Sequence, residues 1–260
     1  MTQSAPIETP RMLSRQAPIG LTLAGLIGSA WLALHVAGVF CWRWQGSWVW
    51  FAPVVVALQT WLYVGLFIVA HDCIHGSLAP GRTAVNRAVG RIALGLYAAF
   101  DYDRVTEKHF AHHRHPGTAD DPDFDDHLPQ GFAAWFVKFF QEYFGWRQVA
   151  AIGCIALIYL AVLGASLVNV LVFWALPALA SAVQLFTFGT YLPHRIEHAA
   201  FADAHRARTN ALPAWLSLLT CFHFGYHHEH HLSPGLPWWR LPALHRARGA
   251  STAPRASAAP

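Results

Sequence analysis

Three stretches of this chain run without a single Asp, Glu, Lys or Arg for as long as a lipid bilayer is thick. Leu21 to Trp42 and Gly46 to Ala70 are each long enough, at 1.5 Å per helical residue, to cross a hydrocarbon core of about 30 Å. Only Arg43 and the Gln45-Gly46-Ser47 turn separate them, so they read as a helical hairpin. Between Arg147 and His194 lie 46 uncharged residues, too many for one crossing and suited to two. Gly164-Ala165-Ser166 is the expected reversal point, giving helices near 149–164 and 167–191, with Pro177 kinking the second. Composition agrees: charged residues make up 12% of the chain and hydrophobic ones 55%, against about 25% charge in a soluble domain. A soluble globule of this kind would expose large apolar patches, and disorder is excluded by the abundance of hydrophobic and aromatic residues.

The predicted fold class is therefore an all-α integral membrane protein with four transmembrane helices in two hairpins. With four crossings both termini and the central segment 71–148 share one side, and of the 18 Lys and Arg residues only Arg43 falls opposite. The positive-inside rule makes that side cytoplasmic, and in a bacterium the membrane is the inner one. Residues 84–100 and 132–146 are expected as interfacial helices, the first with Arg87 and Arg91 on one face, the second with eight aromatics. The organisation expected is a cytoplasmic tail at 1–20, one membrane-embedded domain at 21–246 and an irregular tail rich in Ala, Ser and Pro at 247–260. The apolar stretch after Arg15 is too long for the core of a cleavable signal. A net charge of +4 suits an anionic membrane surface, and nothing points to nucleic acid.

The functional signal is histidine: 17 residues, mostly clustered. His71 and His75 stand at i and i+4 after the second apolar run. His109, His112 and His113 form an i, i+3, i+4 set, and His227, His230 and His231 repeat it. Such spacings put side chains on one helix face about 5–6 Å apart at Cβ, within reach of a common ion. His194 follows Pro193 at the end of the last apolar run, so all four elements emerge on one side. One HxxxH pair alone is as easily a surface feature, and three clusters on topologically consistent segments are not. Nine imidazoles exceed the needs of one metal and suit two, although imidazole alone does not choose among Zn, Cu, Fe and Ni. Asp72 and Glu229, beside the clusters, are candidates to accept N–H bonds from the ligating rings, and the Asp120–Asp123 loop is a further one. His35, mid-span, reads as a packed neutral imidazole, and His115, His198, His205, His223 and His228 as neighbours of the clusters. HExxH is absent, and the four cysteines lie far apart without a CxxC.

The order HDxxH, HxxHH, HxxHH resembles the membrane di-iron superfamily of fatty-acid desaturases, alkane hydroxylases and carotenoid oxygenases. More narrowly, HDCIHGSLAPGR at 71–82, HFAHHRHPGTADDPDF at 109–124, LFTFGTYLPHR at 185–195, FADAHRAR at 201–208 and SLLTCFHFGYHHEHHLSPGLPWWRLP at 217–242 resemble the bacterial β-carotene 4-ketolases. That resemblance implies two iron ions held by His71, His75, His109, His112, His113, His194, His227, His230 and His231, with O2 as co-substrate. It implies two successive hydroxylations at C4 of the β-ionone ring and loss of water, taking β-carotene to echinenone and canthaxanthin and leaving zeaxanthin, on the route to astaxanthin, open as a second substrate. The carotenoid would enter from the bilayer, along a tunnel walled by the 132–146 helix and the second and fourth spans. With no GxGxxG motif and no cysteine cluster, electrons would come from a separate ferredoxin-type donor, for which Arg104, Lys108, Arg206 and Arg208 are candidate docking residues. A fatty-acid desaturase or hydroxylase and a carotenoid 3-hydroxylase are the alternatives within the superfamily. A membrane metal transporter is the non-enzymatic one, disfavoured because its ligands would sit near the bilayer midplane.

Overall fold

A computed structural model describes residues 10–127, 131–196, 200–210 and 212–252. Among the described residues all regular secondary structure is helical. Helix α1 (Pro10–Val36) continues through a π-helical turn to Cys41, and α2 (Trp48–Ile74) returns antiparallel to it. Two amphipathic helices follow, α3 (Thr83–Ala98) and α4 (Tyr102–Arg114), then α5 (Phe132–Tyr143) and α6 (Trp146–Leu157), the latter extended by a π turn to Val162. Helix α7 (Leu167–His194) is the last long one, and α8 (Ala214–Cys221), α9 (His227–Leu232) and α10 (Leu241–Thr252) complete the cap.

The order of helices matches the sequence reading, with corrections at 132–146 and in both tails. Three helices, Arg15–Cys41, Trp48–Ile74 and Leu167–His194, are long and apolar enough to cross a membrane, and a fourth crossing exists only if α5 and the Trp146–Val162 helix are taken as one span bent by 77°. The expected single helix at 132–146 breaks because Phe144 and Gly145 are extended and Gln148 caps the new helix through the Gly145 N–H at 3.1 Å. The expected irregular tail from residue 247 is helical as far as Thr252, since Ala-Arg-Gly-Ala continues the turns begun at Leu241. Residues 1–9 and 253–260 lie outside the described residues, and the expected N-terminal tail is helical from Pro10, where α1 begins.

Helix α2 is the hub. Its second half is buried on all sides, from Leu62 through Cys73, by α1, α3, α7 and α8, whereas Trp50, Phe51 and Val54 in its first half are exposed. Gly65 makes the crossing with α8 close: a Cβ there would stand 2.7 Å from the Phe222 ring, which itself stacks on Trp61. Gly90 of α3 admits the Tyr102 ring in the same way. His35 is buried against Trp31, with Nε2 3.0 Å from the Tyr159 hydroxyl, as expected of a packed imidazole.

Both prolines of α7 sit just beyond π turns. A helical proline lacks the N–H for the carbonyl four residues earlier and clashes with it. For Pro177 and Pro193 those carbonyls belong to Phe173 and Gly189, and both fall inside π turns, Leu171–Ala175 and Phe186–Tyr191. Wider hydrogen-bonding loops relieve the clash, so α7 runs on to His194 rather than ending.

At the far end Asn169 ties the bundle together. Its amide donates to the carbonyls of Val39 (3.3 Å) and Trp42 (3.2 Å) and accepts the Trp44 indole N–H at 2.7 Å. Replacing Asn169 by Ala strands buried carbonyls at the close of α1, and each stranded group costs about 1–3 kcal/mol. Asn169→Ala is expected to lower the melting temperature in detergent while leaving metal content intact, measured by thermal scanning and elemental analysis of one preparation.

Candidate metal centre

Four segments bring their histidines to one end of the bundle. The last turn of α2 carries His71 and His75; α4 carries His109, His112 and His113; α7 ends on His194; and α9 carries His227, His230 and His231. Asp101 starts α4 by accepting the Arg104 N–H at 2.8 Å, and the left-handed Phe222-His223 pair after α8 turns the chain into α9.

The nine nitrogens divide into two groups, each with its ligand atoms within 4.8 Å of one another: His71, His75, His109, His113 and His230 in one, His112, His194, His227 and His231 in the other. In the first, Nε2 atoms meet at 2.7 Å (His75–His109), 3.1 Å (His109–His113), 3.0 Å (His113–His230) and 3.2 Å (His230–His71). In the second, His231 Nε2 lies 3.2 Å from His112 and 3.0 Å from His227. A neutral imidazole nitrogen carries either one hydrogen or one lone pair, so an atom touching two others cannot satisfy both. His194 Nε2 is buried and has no partner at all. Converging lone pairs around two points are what a pair of cations requires, and the residues fit such a pair.

Burial keeps most of these rings neutral and their lone pairs available. It lowers the pKa of His75 to about 4 and of His113 to about 2, and pushes His109, His227, His230 and His231 well below 6.5, with neighbouring rings adding to the effect. His112 is the exception: burial opposes its charge, but the carboxylates of Asp121 and Asp123 together outweigh burial and raise the pKa.

The groups behind the rings differ from the sequence expectation. Asp72 and Glu229 do not hold the clustered rings. Asp72 accepts the Trp238 backbone N–H at 3.2 Å and stands 3.6 Å from His71 Nδ1, which has no hydrogen-bond partner. Glu229 accepts from Thr209 and from His245 at 2.7 Å, anchoring α9 to α10. The carboxylate that fixes a ring is Asp121, 2.9 and 3.0 Å from His112 Nδ1 and itself held by the N–H groups of Gly117 and Asp123. His194 Nδ1 donates to the Arg206 carbonyl at 2.8 Å, and the Arg206 guanidinium donates to the Gly117 carbonyl at 2.7 Å. A main-chain acceptor such as Arg206 leaves no mark in a sequence. Of the expected docking cations, Lys108 pairs with Glu142, and Arg206 and Arg208 bind carbonyls within the cap, leaving Arg104 exposed.

The neighbouring histidines stay out of both groups. His228 pairs with Asp203 at 2.8 Å, His115 is exposed, and His205 approaches only to 6.1 Å between ring centroids, from His231. His223 stacks on Tyr226 and Trp238, while His198 lies outside the described residues.

An apolar cavity of about 430 Å³ begins at His71, His109, His112 and His227 and continues between α2, α3, α5, α6 and α7. The expected walls are there: Phe67 and Ile74 of α2, Phe139 and Phe140 of α5, Trp174 of α7. From Thr190 to Val170 it follows twenty residues of α7, roughly 30 Å of helix.

The fatty acid desaturase family model matches residues 48–258, which include every one of these histidines. The chain belongs to the fatty acid desaturase family. Among relatives of this desaturase-family chain, a protein named Beta-carotene ketolase from Paracoccus sp. (strain N81106 / MBIC 01143) is 48% identical over 235 residues, 88% of this chain and 93% of the relative. A second Beta-carotene ketolase, from Paracoccus sp. (strain PC1), is 46% identical over 89% of this chain and 93% of its own length. A third, from Haematococcus lacustris, is 38% identical over 91% of this chain and 70% of its own.

Groups that orient a metal-bound imidazole are worth about 10- to 100-fold in metal affinity. Asp121→Asn removes the charge facing His112 Nδ1 and is expected to cut metal retention by about that factor, read by elemental analysis after graded chelator treatment, with Glu229→Gln affecting it less.

Proposed function

We propose that this chain is an O2-dependent membrane oxygenase that converts C4 of the β-ionone ring of β-carotene to a ketone. The observation that carries this reading is the junction of two histidine groups with the end of a long apolar cavity, in a chain 48% identical to a beta-carotene ketolase. The metal assigned to both groups is iron, and two irons held there would supply the reduction of O2 and the removal of hydrogen from C4.

The protein's own side chains do the rest. Phe67, Phe100, Phe139 and Phe140 line the cavity, which suits a rigid polyene and keeps water away from the oxidation. His112 and His194 are held in one orientation by Asp121 and the Arg206 carbonyl, so their Nε2 atoms face inward before any metal arrives. Each hydroxylation consumes one O2, two electrons and two protons and releases one water. Two rounds at one carbon give a geminal diol, which loses water to leave the ketone. Echinenone and canthaxanthin are the products from β-carotene, and zeaxanthin is a second candidate substrate.

The electrons are assigned to a ferredoxin-type donor, supported by the absence from the sequence of a nucleotide-binding motif or cysteine cluster. The chain is placed in the bacterial inner membrane as two hairpins, with the α5–α6 pair serving the third crossing and the histidines at the cytoplasmic face. Support for that orientation comes from the lone Arg43 between the first two spans, with every other Lys and Arg on the histidine side except Lys138 and Arg147, which belong to the α5–α6 pair.

The test is pigment analysis of bacteria that accumulate β-carotene, with and without this gene, under air. Echinenone and canthaxanthin are the expected products. Unchanged β-carotene beside membrane-inserted, iron-loaded protein would overturn the assignment of substrate. His112→Ala and His230→Ala, one from each group, are each expected to reduce keto product by about 100-fold or more and to lower iron below two per chain.

A further inference from the structure

The cavity beside the histidines is apolar with one conspicuous departure. Asp123 lines it, and among the described residues it is the only carboxylate that does so. Its side chain keeps 11% of its surface accessible, at the junction of cavity and His112. One oxygen, Oδ1, is taken by the Tyr143 hydroxyl, which donates at 2.5 Å, and Tyr143 lines the cavity as well. The other, Oδ2, is 3.9 Å from His112 Nδ1, beyond hydrogen-bonding distance, and that nitrogen is already committed to Asp121.

This carboxyl group is held firmly in place. The Asp123 N–H binds Asp121 Oδ1 at 2.9 Å and its carbonyl accepts the Trp135 indole N–H at 2.7 Å, so its backbone is fixed from both sides. Its side chain stands on the Nδ1 side of His112, away from the point where the Nε2 atoms converge, which is a poor place for a metal ligand. A hydrocarbon ring has no use for such a group. A ring that has already acquired one oxygen does, because a hydroxyl entering an apolar cavity loses its water and needs a partner.

We propose that Asp123, braced by Tyr143, binds the C4 hydroxyl of the half-oxidised ring and turns the remaining C4–H toward the metal centre, so that the second hydroxylation follows at the same carbon. This rests on the reading above of two successive hydroxylations. The first round converts C4–H, O2, two electrons and two protons to C4–OH and water without Asp123 touching the carbon. In the second the C4 hydroxyl donates to Asp123 Oδ2, the same balance is repeated at the other C4–H, and the diol loses water. Asp123 and Tyr143 are in this view what makes the product a ketone rather than an alcohol.

The test measures the partition between alcohol and ketone. Wild type, Asp123→Ala, Asp123→Asn and Tyr143→Phe are each supplied with β-carotene and, separately, with its 4-hydroxy derivative, and the kcat/KM values and iron content are compared. Loss of a hydrogen bond to a charged group is expected to lower the turnover of the 4-hydroxy substrate relative to β-carotene by about tenfold in Asp123→Ala, and less in Tyr143→Phe, with 4-hydroxy product accumulating. An equal fall for both substrates, or total inactivity with loss of iron in both Asp123 variants, would overturn the proposal and leave Asp123 a support for His112. Failure of wild type to oxidise either substrate would instead strike the assigned reaction itself.

Discussion

Nine imidazole nitrogens gathered into two groups, each with its atoms within 4.8 Å of one another, make an arrangement that protons cannot satisfy. Too few hydrogens are available for the contacts at His109, His113, His230 and His231, and His194 Nε2 faces the group alone. The rest of the molecule can be understood as the scaffold that holds this unfavourable convergence together. Helices α2 and α7 run in the same direction and finish at the same level, α4 packs against α3 and brings its histidines to theirs, and the short α9 closes the set.

Around this centre lies a second layer that does not itself line the cavity and fixes the segments to one another. Asp72 receives the backbone of Trp238, Glu229 receives Thr209 and His245, and the Arg206 side chain reaches the Gly117 carbonyl. The ends of α2, α7 and α9 and the loop after α4 are thereby joined by charged or polar groups in an otherwise apolar molecule. On the other side the cavity meets the histidines with aromatic rings and with the Asp123–Tyr143 pair, so the proposed site of oxidation is a boundary between a polar cap and a hydrocarbon-like interior.

Much of the centre was legible because helical periodicity translates directly into geometry. Spacings of i+3 and i+4 aim His109, His112 and His113 to one side, and the same holds for His227, His230 and His231. That same periodicity explains why Asp72 and Glu229 were misread. A residue adjacent to a ligand on a helix points about 100° around the axis, so Asp72 beside His71 and Glu229 beside His230 face neighbouring segments instead of the rings. Asp121 reaches His112 only because the loop through Gly117 doubles back, and Arg206 acts through a carbonyl common to every residue type. The break at Phe144-Gly145 is equally local: it depends on one capping glutamine and interrupts an aromatic run that looks continuous.

The π turns of α7 carry a consequence for how such a chain can change length. Each wide turn takes up more residues than an α turn, so side chains beyond it are rotated from where an unbroken helix would put them, by about 100° for one residue. His194 comes after two such turns, and its direction records both. A single-residue deletion within Phe186–Tyr191 would leave the composition and hydropathy of α7 almost untouched and yet swing His194 out of register with His112, His227 and His231. In this helix the phase is held by residue count, and lineages sharing the centre can lengthen its loops far more freely than they can trim the helix.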